Sequence, residues 1–348
     1  MRKITAIVLG TGTMGSLATS YMIDKGVEIV AAQDTNPHLV GKDLGEVVGI
    51  SKVLNVRIRG NIEEALNERT ADIAIVSTLT KMEDIYPTLK KCIEKGINVI
   101  TTSEEALYPW IISQELTTKL DRLAKEHHVT VTGSGGQDNF RVNIVSLLTG
   151  ACHSITSVAV IHVSDLSKSG PTAARNYHLG DTVQQFSEAM KGRGVPLSSL
   201  RMCLEAIGAD LGLTTKHLEQ KAEPTLADMD VEARGVEGGI IRKGYVTGMK
   251  KLTRIDTDQG VTLSGDQTLK AFSDNEKKEG PYNECIIKGI PDITMRLKWS
   301  GSEAKASQVA QLVNRIPDVI NSEPGYITVE KLPKLKFRAL PLQFYLKG

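Results

Sequence analysis

Within thirty-four residues the chain commits itself to one local geometry. An apolar run, Ile4-Thr5-Ala6-Ile7-Val8-Leu9, leads straight into Gly10-Thr11-Gly12-Thr13-Met14-Gly15, and Asp34 closes the next apolar run, Val27 to Gln33. Each glycine has its own task in such a spacing: Gly10 turns the chain, Gly12 lets backbone approach a pyrophosphate, and Gly15 allows a helix to pack closely on a strand. The helix expected from Met14 to Lys25 then presents unpaired N–H groups and its positive dipole end, which favour phosphate without any lysine; Thr11, Thr13 and Met14 belong to this cradle. A carboxylate about twenty residues further on accepts hydrogen bonds from ribose hydroxyls. Asp34 repels a 2′-phosphate, and no arginine follows in Thr35-Asn36-Pro37-His38, so NAD is the expected cofactor and NADP binds less well.

The remaining pattern extends this start into a doubly wound α/β domain. Asp72-Ile73-Ala74-Ile75-Val76-Ser77-Thr78 reads as a parallel strand covered on both faces, with Ser77 and Thr78 at the carboxyl end where ligands of open sheets bind. A helix from Tyr86 to Lys95, a strand from Asn98 to Ser103, a helix from Ser113 to Glu126 and a strand from Val129 to Thr132 continue the alternation. The Rossmann domain is therefore expected over residues 1–135. Residues 136–300 change rhythm: a helix from Phe140 to Thr149, a strand from Ser154 to Val163, helices over 182–191 and 198–211, then alternating strands. They read as an α+β substrate and dimerisation domain. Residues 301–348 supply an amphipathic helix with Ala306, Val309, Leu312, Val313 and Ile316 on one face, expected to return to the first domain, with Pro317 bending it or starting a new turn.

Composition narrows the class of ligand. The chain has 348 residues, enough for two domains, and a formal net charge of +1 without long runs of either sign, which argues against nucleic-acid and polybasic membrane surfaces. Cys92, Cys152, Cys203 and Cys285 are scattered without zinc spacing or a disulfide framework, so reduced thiols and no metal are expected. The first strand begins almost at once and no apolar run approaches a membrane span, so a cytoplasmic protein is expected.

Three polar stretches could do chemistry. In Thr102-Ser103-Glu104-Glu105-Ala106-Leu107-Tyr108-Pro109-Trp110, at the carboxyl end of a central strand, a glutamate beside the nicotinamide could take the proton that accompanies hydride transfer, with Ser103 and Tyr108 lining the site. The same spacing serves equally to favour the start of a helical turn with Ser103 as cap. Gln137, Asp138, Asn139 and Phe140 follow the last Rossmann strand and either bind a polar substrate or cap the next helix. Lys168, Thr172 and His178 form the third cluster, with His178 a proton carrier or hydrogen-bond donor.

Several phrases together resemble the 2,4-diaminopentanoate dehydrogenase family and the native amine dehydrogenases, relatives of dihydrodipicolinate reductase. They are Leu9-Gly10-Thr11-Gly12-Thr13-Met14-Gly15, Val40-Gly41-Lys42-Asp43-Leu44-Gly45, Glu104-Glu105-Ala106-Leu107-Tyr108-Pro109-Trp110, Asp165-Leu166-Ser167 with Gly170-Pro171-Thr172, and Val313-Asn314-Arg315-Ile316-Pro317. The resemblance implies NAD(P)-dependent oxidation of an amine to a ketone with release of ammonia, or the reverse, in a homodimer, with the acid/base role on Glu104 first and Glu105 as its substitute. Two departures fall at expected cleft positions: Gln137-Asp138-Asn139-Phe140 replaces an Asn-Pro-Gly-Phe-like turn, and Lys168-Ser169 replaces a Pro-Phe pair. Asp138 is thus expected to meet a cationic substrate group and Lys168 a carboxylate. An imine or enamine reductase of the dihydrodipicolinate type and a non-catalytic dinucleotide sensor are the alternatives.

Overall fold

The computed structural model describes residues 2–51, 53–192, 194–299 and 303–347. Two compact units emerge, Met1–Asn143 with Ala304–Gly348, and Ile144–Glu303, so the divisions fall at 143/144 and 303/304 rather than at 135/136 and 300/301. Elements are numbered along the chain. The first unit is built on seven parallel strands in the order β15-β6-β5-β4-β1-β2-β3, with β1 (Thr5–Leu9), β2 (Glu28–Gln33), β3 (Ile58–Arg59), β4 (Ile73–Val76), β5 (Asn98–Thr101), β6 (Thr130–Gly133) and β15 (Gly325–Tyr326). Strand order reverses between β1 and β4, which opens a crevice at their carboxyl ends.

Alternation along β1 explains why both faces need a helical layer. Ala6 and Val8 point into a cluster with Ala18 and Met22 of α1 (Thr13–Asp24) and with Val309, Leu312, Val313 and Ile316 of α11 (Glu303–Ile320). Ile7 and Leu9 point the other way, into a cluster with Ile85 and Leu89 of α4 (Met82–Glu94) and Leu120 of α5 (Gln114–Glu126). Period-two strands between period-3.6 helices bury every apolar residue of β1 beyond Thr5, at about 1.5–3 kcal/mol per large side chain. The C-terminal helix thus packs on the first unit, and it runs as one element through Pro317 to Ile320, so no new turn starts there. The short helices α2 (Leu44–Val48) and α3 (Ile62–Glu68) complete this unit's α/β layer.

The second unit opens with α6 (Ile144–Thr149) and carries a six-stranded mixed sheet in the order β14-β13-β7-β12-β11-β8. Its strands are β7 (Ser154–Asp165), β8 (Thr215–Leu226), β11 (Val246–Thr257), β12 (Thr262–Lys270), β13 (Tyr282–Ile290) and β14 (Ile293–Lys298); β7 and β12 are parallel and the other pairs antiparallel. Within the stretch expected to hold alternating strands, the apolar run 238–249 divides into the short β10 (Ile240–Ile241), paired with β9 (Val231–Glu232), a turn, and the start of β11. Helices α7 (Pro171–Asn176), α8 (Val183–Met190), α9 (Ser199–Asp210) and α10 (Asp274–Glu279) surround the sheet, with Leu200 and Leu204 of α9 against Gly265 of β12.

The segment after β6 departs from expectation in a telling way. It winds as a π-helix over Asp138–Asn143 before α6, so Asp138 lies inside the helix and not at its cap. Its carboxylate is fully buried and takes a bidentate ion pair from the equally buried Arg315 of α11, at 2.9 Å from Nε and 2.6 Å from Nη2. Ser134 Oγ donates to the same carboxylate at 2.8 Å and Asn143 Nδ2 at 2.7 Å. The expected encounter of Asp138 with a cationic substrate group is therefore overturned: every lone-pair direction is engaged by the protein itself. Asp138→Asn keeps the shape but strands the Arg315 charge, and is expected to lower unfolding stability by about 3–5 kcal/mol. Urea unfolding checks this; an unchanged midpoint would mean that the other partners of Arg315 Nη1, the Asp318 carboxylate at 3.4 Å and the Pro333 carbonyl, suffice for its charge.

Candidate active site

At the carboxyl ends of β1, β2 and β4 lies a cleft of about 610 Å³ whose lining includes Gly10, Gly12, Asp34, Asn61, Ser77 and Thr78. Its floor depends on missing side chains. Gly10 has φ +87°, and a Cβ there would stand 2.5 Å from the Ser77 carbonyl oxygen; a Cβ on Gly15 would stand 1.8 Å from the Gly10 oxygen. Nothing lies within 4 Å of a Cβ built on Gly12, so the space above the start of α1 is open. No side chain caps α1 and no acid lies in its first turn, which leaves the amides of Thr13 and Met14 to an external anion.

Asp34 sits at the far side. One carboxylate oxygen accepts from Thr11 N–H at 2.7 Å and Thr11 Oγ1 at 2.9 Å, and the other from Asn36 N–H at 2.9 Å. Burial pushes the Asp34 carboxyl up, but the hydrogen bonds from Asn36 and Thr11 outweigh it and hold the group below the usual carboxylate range. It is a fixed negative charge at the cleft edge. Ser77 Oγ is buried beside this cleft without a hydrogen-bond partner among the described residues, as a ligand-binding hydroxyl would be. An open amide cradle, a fixed acid and an orphaned hydroxyl suit a dinucleotide. The loop Gly60-Asn61-Ile62 also lines the cleft, a contribution that local sequence did not signal, because Asn61 reads there only as the cap of α3.

The adjacent glutamates after β5 have different surroundings. They begin a 3-10 turn, Glu104–Ala106. Glu105 turns back and accepts from Met82 N–H at 2.8 Å, capping α4, whose own N-cap residue Lys81 offers no side-chain acceptor. Glu104 makes no hydrogen bond or ion pair with its carboxylate among the described residues and is only half-buried. Ser103 Oγ donates to the Thr80 carbonyl at 2.6 Å, so this hydroxyl holds the β4–α4 loop against the turn instead of facing a ligand. Tyr108 closes the stretch, half-buried, before a second 3-10 turn, Pro109–Ile111.

Among the other expected site residues, Gln137 and Phe140 are half-buried, and Asn139 donates its N–H to Gln311 Oε1 of α11 at 2.9 Å. In the second unit, Lys168 is exposed on a cleft of about 380 Å³ shared with Arg234, Lys277 and Glu232. Thr172 is exposed near Arg175. His178 pairs through Nδ1 with Asp181 at 2.8 Å and meets Phe186 edge-on at 5.2 Å, a local packing role. No group of three or more His, Cys, Asp or Glu residues among those described could hold a metal. No helix is long and apolar enough to cross a membrane. Burial pushes the Cys92 thiol up to about 12 and the Cys285 thiol up to about 11, which makes both poor nucleophiles.

Known proteins match this architecture in both halves. Residues 4–134 match the N-terminal domain of dihydrodipicolinate reductase, and residues 142–340 match the 2,4-diaminopentanoate dehydrogenase C-terminal domain. The chain is 30% identical to a 2,4-diaminopentanoate dehydrogenase of Acetoanaerobium sticklandii, over 96% of this chain and 94% of that one. A solved amine dehydrogenase from Mycobacterium smegmatis superposes with a TM-score of 0.86 at 35% identity, covering 97% of this chain and 98% of the other. GenD2 from gentamicin A biosynthesis, solved in complex with NAD, shares the fold at a TM-score of 0.60 and 14% identity, over 95% and 90% of the two chains. With both domains matched and the likeness running nearly end to end, the chain belongs to the 2,4-diaminopentanoate dehydrogenase family.

Proposed function

We propose that this enzyme oxidises the amine-bearing carbon of a short amino or diamino acid of the 2,4-diaminopentanoate type to a ketone, releasing ammonia, and runs in reverse as a reductive amination. The observation that carries this reading is the half-buried, partnerless Glu104 carboxylate at the end of β5, in a chain whose second domain matches that of 2,4-diaminopentanoate dehydrogenase. Glu104 is the acid/base. It removes a proton from the substrate ammonium, since only a neutral nitrogen can push electrons toward its carbon, releases that proton to solvent, and as a carboxylate again takes a proton from the water that attacks the imine. Glu105 remains tied to Met82 N–H and supports the turn.

The amides of Thr13 and Met14 would hold the cofactor pyrophosphate, and the Asp34 carboxylate would accept from the adenosine ribose. NAD, when bound, supplies the electron acceptor for the amine-bearing carbon. The fixed charge on Asp34 disfavours the extra phosphate of NADP by like-charge repulsion. Lys168, exposed and without an ion pair among the described residues, supplies the positive charge for a substrate carboxylate. Two copies associate through the open face of the six-stranded sheet. That face carries Ala159, Ile161 and Leu252 among charges of both signs, Glu219, Lys221 and Arg254, a self-complementary surface for a two-fold contact.

NADH formation at alkaline pH over short amines and amino acids, with 2,4-diaminopentanoate included, tests the reaction. Glu104→Gln is expected to lower kcat by about 10²–10⁴-fold while Glu105→Gln retains most of it; the opposite order would transfer the base to Glu105. Ammonia as product separates this activity from an imine reductase, and NAD binding without turnover of any amine would favour a sensor. Lys168→Ala is expected to raise KM for amino acids and leave simple amines unaffected, and equal effects on both would remove its role. Ile161→Arg is expected to halve the mass seen by light scattering; an unchanged mass would place association elsewhere.

A further inference from the structure

We propose that Tyr326, contributed by the C-terminal strand β15, is a positioning residue for Glu104, acting through the backbone of the turn that carries it. The inference rests on the reading of Glu104 as acid/base. Tyr326 is 1% exposed, and its hydroxyl donates to the Ala106 carbonyl at 2.6 Å, across 220 residues of sequence. Ala106 ends the 3-10 turn that begins at Glu104. The peptide whose carbonyl receives this bond is also the one whose N–H, on Leu107, donates back to the Glu104 carbonyl at 3.4 Å. The phenol therefore polarises the amide that closes the turn, and hydrogen bonds in such a chain strengthen one another.

The Ala106 carbonyl has little freedom otherwise. A Cβ on Gly133 would stand 2.3 Å from its oxygen, so β6 presents bare backbone there and Tyr326 approaches from the neighbouring strand. Tyr326 is itself immobilised: its N–H donates to Asp121 Oδ1 of α5 at 3.0 Å, and Trp110 meets its ring edge-on at 6.3 Å. Burial pushes the phenol far up, so it stays a donor through the alkaline range in which amines are oxidised. Glu105 and Ser103 fasten the start of the same turn to Met82 and Thr80, and Tyr326 fastens its end. Between these two anchors the Glu104 side chain leaves the backbone in one direction, which is what a base without side-chain partners of its own requires.

Tyr326→Phe keeps the ring and removes only the donor. With 2,4-diaminopentanoate and NAD, kcat is expected to fall about 10- to 100-fold, KM for both to change less than about twofold, and the acid limb of the pH–rate profile to move. Asp72→Asn, which weakens the opposite, amino-terminal end of the same sheet, serves as the control: it lowers the thermal midpoint but leaves kcat and the acid limb in place. Wild-type kcat and pH limb in Tyr326→Phe, or a loss that only follows the folded fraction, would overturn the proposal. If Glu104→Gln is inactive while Tyr326→Phe is unaffected, the positioning role alone falls; if Glu104→Gln is fully active, both readings fall. Should the wild type oxidise no amine, the titration of the Glu104 carboxyl, followed by ¹³C NMR in wild type and Tyr326→Phe, still decides: an unchanged titration overturns the role of Tyr326.

Discussion

Asp138 and Arg315 place two full charges where no water reaches, and much of the first unit follows from satisfying them. Stripping both of water costs several kcal/mol each, which only close geometry and further hydrogen bonds can offset. The bidentate fork, Ser134, Asn143 and the Pro333 carbonyl supply those bonds. Arg315 can reach Asp138 only when α11 lies on the sheet. The pair therefore fixes the helix whose apolar stripe completes one face of β1, and the chain beyond that helix goes on to form β15. The π-turn around Asp138 fits the same demand: one wide turn admits an extra residue and brings the carboxylate, Ser134 and Asn143 onto a common point.

Two neighbouring carboxylates illustrate how environment divides labour between identical side chains. Glu105 meets an amide left unpaired at the start of α4, and the Glu104 carboxylate has no hydrogen bond or ion pair among the described residues. One closes a structural deficit, and the other keeps its lone pairs available for a proton. The arrangement depends on a 3-10 turn, in which successive side chains diverge by about 120° and so reach different surroundings.

Local signals made the nucleotide-binding half legible. The spacing of Gly10, Gly12 and Gly15 is a local signal, even though the neighbour Gly10 makes room for is the distant Ser77 carbonyl, and the continuous apolar runs of β1 and β4 announce a sheet covered on both sides. What stayed hidden depends on partners far along the chain. Asp138 reads as a polar loop residue until Arg315, 177 positions later, is beside it. The first turn of α4 escaped notice because its cap is Glu105, not Lys81, and because Pro87, which reads as a start signal, lies inside the helix. In the second unit β8 was not delimited among the strands expected after residue 211: Thr215–Leu226 alternates charged with half-exposed residues and carries a proline, as an edge strand does. The family phrase around Arg315 gave that residue no role; the buried pair with Asp138 supplies one.

The first unit is discontinuous, and its final forty-five residues include the outermost strand of the sheet, one helical layer and the partner of its buried charge. A ribosome therefore releases Ile144–Glu303, an uninterrupted stretch with its own sheet, before the preceding half can close. Throughout that interval the edge of β6 that β15 later pairs is open, and the face of β1 that α11 later completes is covered only in part, by α1. The unit that holds the dinucleotide cleft is thus completed only after the other, and until then its open edge is the more exposed to wrong pairing.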